Sequence, residues 1–211
     1  MEPSTKIFWV LVLCVVVMAH HATALGILKE INPLIGEEPL RGKSLINKVC
    51  AFSPSRGLCV EVLSSDKLRS PTANLKDLAM ISLRFAATNA SDILGDAKTL
   101  IDDDSLEPGI QQGLADCKEN ILDAESQLED TIATLMIDSK ADAQRWLRAA
   151  LAAIDTCDAS IPGDDDILSV KSVMFRKLCN IAIVVNKLLA NPTILQKSSP
   201  LWINPYISFP V

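Results

Sequence analysis

Histidine is nearly missing from this chain of 211 residues: there are two, His20 and His21, and both fall within the first 24. That stretch reads as a secretory signal peptide. Lys6 gives a weakly basic start, Ile7 to Met18 is an unbroken apolar run, and Ala22-Thr23-Ala24 is a small-x-small cleavage site. The run is shorter than the roughly 20 residues that a membrane-spanning helix needs. Once residues 1–24 are removed, no histidine remains. That excludes Ser-His-Asp and Cys-His catalysis and every His-ligated metal site.

Other absences narrow the field further. No C-x2-C pair occurs, so four-thiolate zinc binding is disfavoured. There is no GxGxxG, no P-loop and no GxSxG. No apolar run long enough to span a membrane follows the leader, so no membrane association is expected. Cations are outnumbered, 20 Lys and Arg against 26 Asp and Glu, for a net charge of −6. A nucleic-acid binder would be basic. The acidic balance also argues against acidic polysaccharides and anionic lipid surfaces, and suits a basic protein partner. No alternating apolar/polar pattern marks a strand.

What is present is helical. Between a proline- and glycine-containing extension (25–43) and a tail (191–211) lie four long segments with apolar residues in steps of three and four. The first opens at Pro71 and carries Leu75, Leu78, Ser82, Phe85, Asn89, Ile93 and Leu100. The second, about 107–137, carries Ile110, Leu114, Cys117, Ile121, Ala124, Leu128, Ile132 and Leu135. The third, about 139–159, carries Ala143, Leu147, Ala150, Ile154 and Cys157. The fourth, about 165–190, carries Ile167, Val170, Met174, Leu178, Ile181, Val185 and Leu188. Short connections between amphipathic helices predict an all-α, antiparallel up-and-down four-helix bundle over 44–190, preceded by a short helical hairpin. Its aromatic core would be Phe85, Trp146 and Phe175. The tail, with Pro192, Pro200, Pro205 and Pro210, is expected to be non-helical.

Five cysteines follow the leader, enough for two disulfides and a spare thiol. Cys50-AFSPSRGL-Cys59 looks like a tight turn closed by a local bridge. Cys117 and Cys157 both lie on inward-facing stripes, where a bond would staple the second long helix to the third. Cys179 lies one position off the fourth seam. It reads as a buried free thiol behaving as a small apolar side chain, with no histidine to activate it.

The polar clusters have bland readings. Asp102 to Asp104 and Asp164 to Asp166 lack the alternation of a calcium loop, and the second triplet sits where carboxylates would cap the fourth helix. Glu119, Asp123 and Asp130 share a solvent side of the second helix, without the apolar pocket that acid catalysis needs. No metal and no cofactor is expected. Asn89-Ala90-Ser91 is a glycosylation sequon, with Asn89 on the seam.

Taken in order, Cys50-x8-Cys59, GLADCKENILDAESQL (113–128), RWLRAALAAIDTC (145–157) and LCNIAIVVNKLL (178–189) resemble the plant invertase and pectin methylesterase inhibitor family. The resemblance implies the bundle with its hairpin, the pairings Cys50–Cys59 and Cys117–Cys157, and a free Cys179. It further implies a secreted, extracellular (apoplast or cell-wall) protein, monomeric when unbound, that is not an enzyme but blocks one, in a one-to-one complex. Members of the pectin methylesterase branch use the second and third bundle helices to fill the target's cleft. Those of the invertase branch carry Pro-Lys-Phe between these helices, which IDSKADAQ (137–144) lacks. Pectin methylesterase is therefore the expected target and invertase the alternative. The expected contact residues are Glu119, Asn120, Asp123, Gln127, Asp130, Arg145, Arg148, Asp155 and Thr156. Many members place an acid two residues after the fourth cysteine; here Asp158 is followed by Ala159.

Overall fold

The structure, a computed structural model, describes residues 40–163 and 168–197. The expectations for the signal peptide, most of the extension, Asp164 to Asp166, Ile167 and the tail beyond residue 197 lie outside them. The described chain is all-helical: α1 (Gly42–Cys50), α2 (Arg56–Ser64), a 3-10 turn (Ser70–Thr72), α3 (Leu75–Ile101), α4 (Pro108–Met136), α5 (Lys140–Ser160), α6 (Ser169–Ala190) and α7 (Thr193–Lys197). No strand occurs among the described residues. Helices α3 to α6 form the antiparallel four-helix bundle, each against two neighbours in a ring, and α1 and α2 form the hairpin, which packs chiefly on α3 and α6.

The caps explain where the helices begin. Pro71 does not open α3 but sits in the 3-10 turn. The N-cap is Asn74, whose Oδ1 accepts from the N–H groups of Lys76 and Asp77 at 2.8 and 3.0 Å, while Asp77 Oδ2 accepts from Asn74 N–H at 3.0 Å. This is a capping box in Asn/Asp form. Helix α6 starts later than expected, with Leu168 at its N-cap and no side-chain cap. Part of the tail is helical after all: α7 fits between Pro192 and Pro200, where no ring blocks the backbone.

The seams of α4 and α5 are buried as expected, with Leu114, Cys117, Ile121, Ala124, Leu128, Leu147, Ala150, Ile154 and Cys157 all at 1 % exposure or less. The other two seams need correcting. On α3 the buried stripe runs through Leu78, Ser82, Ala86, Ala90, Ile93 and Ala97, and Phe85 is 38 % exposed. On α6, Val170 is 76 % and Met174 38 % exposed, whereas Ser172 and Phe175 are fully buried. Trp146 is half-buried, so Phe175 alone of the three expected aromatics belongs wholly to the core. Alanine fills the interior where helices approach closely.

Candidate functional site: the outer face of α4 and α5

Helices α4 and α5 are clamped to each other more tightly than any other pair in the bundle. A disulfide joins Cys117 to Cys157 from one helix to the other. Nearby, Ser160 Oγ donates to the Gly113 carbonyl at 2.9 Å. Gly113 has no room for a side chain: a Cβ there would run into the Ser160 carbonyl and come within 2.9 Å of Ile161 Cα. The contact pairs Cys117–Cys157 and Gly113–Ser160 fix the antiparallel register over this end of the pair.

The register settles which polar residues share the outer surface. On α4, Asn120, Asp123, Gln127 and Asp130 follow one another in steps of three and four, so they form one stripe, with Glu119 beside it. Glu119, Asp123 and Asp130 are exposed; Asn120 and Gln127 are half-buried. Asn120 Nδ2 donates to the Asp116 carbonyl at 2.9 Å, and Glu119 meets Lys118 at 3.1 Å. Gln127 Oε1 is buried with no hydrogen-bond partner, an acceptor left open at the margin of the two helices. On α5, Arg145, Arg148 and Thr156 are exposed on one outer stripe, with Arg145 3.3 Å from Asp142 and Thr156 Oγ1 donating to Ala152 O.

Asp155 stands apart from this set. It accepts from Arg176 Nε at 2.8 Å, while Asp158 accepts from Arg176 Nη2 at 2.6 Å and from Ser172 Oγ at 2.8 Å. Burial by itself would lower the Arg176 pKa, but the hydrogen bonds to Asp158 and Asp155 outweigh it and hold the guanidinium above its ordinary value. This triad faces α6. The acid directly after the fourth cysteine therefore ties α5 to α6, and Asp155 shares that tie while its side chain stays 65 % exposed. At the other end of the pair, Asn186 Nδ2 donates to Lys140 O and to Gln144 Oε1, each at 3.1 Å.

Residues with no signal in the seams complete the face. Met136 and Ile137, at the turn from α4 to α5, are 69 % and 78 % exposed. The turn is sharpened by Asp138 in the left-handed region, φ 64°. An exposed apolar pair at a rigid turn is a natural anchor for a partner. The sequence hint was that both residues continue past the last buried position, Leu135.

The remaining candidates are structural. Cys50 is bonded to Cys59. Among the described residues Cys179 is the free thiol, fully buried, and burial pushes its pKa up to about 12. It stays protonated and is no nucleophile. Asp103 Oδ1 accepts from Ser105 Oγ and N–H at 2.6 and 2.9 Å, in an Asx turn. No group of three or more metal-ligating side chains occurs among the described residues. Asn89 is half-buried with Oδ1 unpaired, and Ser91 Oγ of the same sequon donates to Glu125 at 2.6 Å.

A bundle whose helices are tied by disulfide and polar contacts, with the Cys179 thiol buried and polar side chains on its outer surface, is a preorganised helical scaffold. The particular family follows from the comparisons. The chain belongs to the plant invertase/pectin methylesterase inhibitor family, whose pattern matches residues 44–185, and so to a group of inhibitors rather than enzymes. Two solved structures share the fold. A mutant form of a pectin methylesterase inhibitor from Arabidopsis is 23 % identical, with a TM-score of 0.58 over 66 % of this chain and 93 % of that one. A pectin methylesterase inhibitor from Arabidopsis thaliana is 22 % identical, with a TM-score of 0.52 over 70 % and 97 %. No curated protein matches the chain.

Proposed function

We propose that this protein is a secreted, extracellular inhibitor of pectin methylesterase. It acts as a monomer in a one-to-one complex, laying the outer face of α4 and α5 into the enzyme's substrate cleft. The observation that carries the reading is the clamped pair itself: an exposed carboxylate stripe of Asp123 and Asp130 ending in the apolar tip of Met136 and Ile137, held by Cys117–Cys157. A face already rigid loses little conformational freedom on binding. The apolar tip supplies the anchor and the carboxylates the orientation. Helices α4 and α5 with their turn carry ten carboxylates against four cations, so association with a basic enzyme should be fast at low salt and slow at high salt. Glu119, Asn120, Gln127, Arg145, Arg148 and Thr156 flank the contact. Asp155, exposed and paired with Arg176, flanks it too.

The test is methanol release from methyl-esterified pectin by plant pectin methylesterases, with and without the purified protein. Inhibition is expected, weakened at least tenfold by Ile137→Asp and again by the pair Asp123→Lys and Asp130→Lys. A tenfold loss corresponds to about 1.4 kcal/mol. Unchanged methanol release at micromolar excess from acid to neutral pH would remove this reading. Sucrose hydrolysis by cell-wall and vacuolar invertases is the companion assay: inhibition there and not of methylesterase would move the target to invertase.

A further inference from the structure

The net charge of −6 conceals a strong polarity. Residues 40–72, which form the hairpin and the 3-10 turn, hold six cations (Arg41, Lys43, Lys48, Arg56, Lys67 and Arg69) and two carboxylates, Glu61 and Asp66. Asp66 is already engaged: it accepts from the N–H groups of Leu68 and Arg69 and lies 3.8 Å from the Arg69 guanidinium. Between α1, α2 and the 3-10 turn lies an open groove of about 510 Å³. Ile46, Val60 and Pro71 give it an apolar lining, Asn47 supplies an amide, and Lys43 and Lys67 stand in its walls. Both lysines are exposed and make no ion pair among the described residues.

An apolar floor, one amide and two unpaired ammonium groups suit a ligand that is flat and aliphatic on one side, rich in hydroxyls, and negatively charged at intervals. A uronic acid polymer has all three properties: C–H faces on its rings, hydroxyl groups, and one carboxylate per residue. We propose that this groove is a docking site for an acidic, uronate-rich polysaccharide, with carboxylates against Lys43 and Lys67. The net charge argues against such a partner for the chain as a whole, but salt screens charges beyond roughly 8 to 10 Å. A local basic patch is therefore felt before the acidic remainder. The hairpin packs chiefly on α3 and α6, so the α4–α5 face stays open while the polymer is held. The inference deepens the inhibitor reading, because removal of methyl esters creates the carboxylates that the groove takes. The protein would be retained where its target has acted.

The test uses the purified chain and no enzyme, so its outcome is independent of whether methylesterase is inhibited. Retention is measured on immobilised polygalacturonate, fully methyl-esterified pectin and poly-glutamate, at about 0.01 M salt, where the screening length is near 30 Å, and at about 1 M, where it is near 3 Å. Expected is retention on polygalacturonate at low salt, release at high salt, and little retention on the other two. The pair Lys43→Glu and Lys67→Glu should weaken it at least tenfold, and Lys43→Ala with Lys67→Ala in the same direction. The pair Lys98→Glu and Lys177→Glu changes net charge equally at exposed positions elsewhere and should leave retention intact. No retention of the unaltered chain overturns the proposal, as does an equal loss in the two charge-reversed pairs. Equal retention on poly-glutamate assigns the groove to acidic peptide and overturns it too.

Discussion

Two helix pairs in this molecule are each closed by one disulfide, yet they are built on different scales. The α1–α2 hairpin consists of two helices of nine residues, with bonded cysteines nine positions apart. The α4–α5 pair consists of helices of 29 and 21 residues, with bonded cysteines 40 positions apart. Nine-residue helices are too short to persist alone in water. The hairpin therefore depends on its bridge and on the surface of α3 and α6 beneath it. The long pair contributes a full face to the core through Leu114, Ile121, Leu128, Leu147 and Ile154, and its bridge adds register to packing that already exists. The charges differ in sign as well: the hairpin is basic and the long pair acidic. One fold thus presents two chemically opposite surfaces, both rigid for the same reason.

The largest expected effect comes from opening the longer loop. Replacing Cys117 and Cys157 by serine should cost roughly 4 kcal/mol by loop entropy, against roughly 3 for the same change at Cys50 and Cys59. Thermal unfolding followed by circular dichroism orders the two. The comparison breaks if the short bridge proves the costlier. It sharpens if loss of Cys50–Cys59 frees the hairpin while the bundle still melts cooperatively.

The glycines come next. Gly42 has φ 53°, and a Cβ there would collide with the Pro71 carbonyl. Gly113 would collide with the Ser160 carbonyl. Alanine at either position should cost about 1–3 kcal/mol, because backbone must move. Gly42→Ala should be the worse of the two, since left-handed strain adds to the collision. Denaturant midpoints decide, and equal costs would show that crowding alone matters.

Titration should give the smallest effects. The Arg69 N–H holds the Asp66 carboxyl below its ordinary 3.8, with desolvation opposing and the Leu68 N–H and the Arg69 and Arg84 charges assisting. A depressed carboxylate favours folding above its unfolded pKa, and that contribution disappears as the pH falls through the folded one. Asp66→Asn should therefore remove part of the stability lost below about pH 4, in the hairpin only. At the other extreme, a thiol raised to about 12 favours folding at neutral pH and ceases to do so as the unfolded thiol ionises above about 9. Cys179→Ala should flatten the alkaline limb of the stability profile, and a thiol reagent should label Cys179 only after unfolding.

Much of the fold was legible in the sequence because α4 and α5 bury large side chains in steps of three and four. Legibility failed on α3 and α6 for a common reason. Both carry the hairpin as well as two bundle neighbours, so their buried arcs are wide and rest on small residues. Ala86, Ala90 and Ala97 are fully buried or nearly so, yet alanine scarcely marks a face. Ser172 goes inside because its hydroxyl donates a hydrogen bond to the Asp158 carboxylate, while Val170 and Met174 remain outside. Of the outer face, the stripes on α4 and α5 followed from spacing. The diversion of Asp155 to Arg176 did not, because their partnership spans 21 residues.

The sequence by itself determined the helical class, the inward-facing stripes that carry Cys117 and Cys157, and the lack of histidine beyond residue 24. These are local properties, set by side-chain periodicity and residue type. Only the tertiary structure decided that Asp155 and Asp158 together hold Arg176. It alone gathered Lys43 and Lys67 around one groove, and left Met136 and Ile137 bare at a turn. Those outcomes depend on distances between elements, and periodicity along a single helix carries no information about its neighbour.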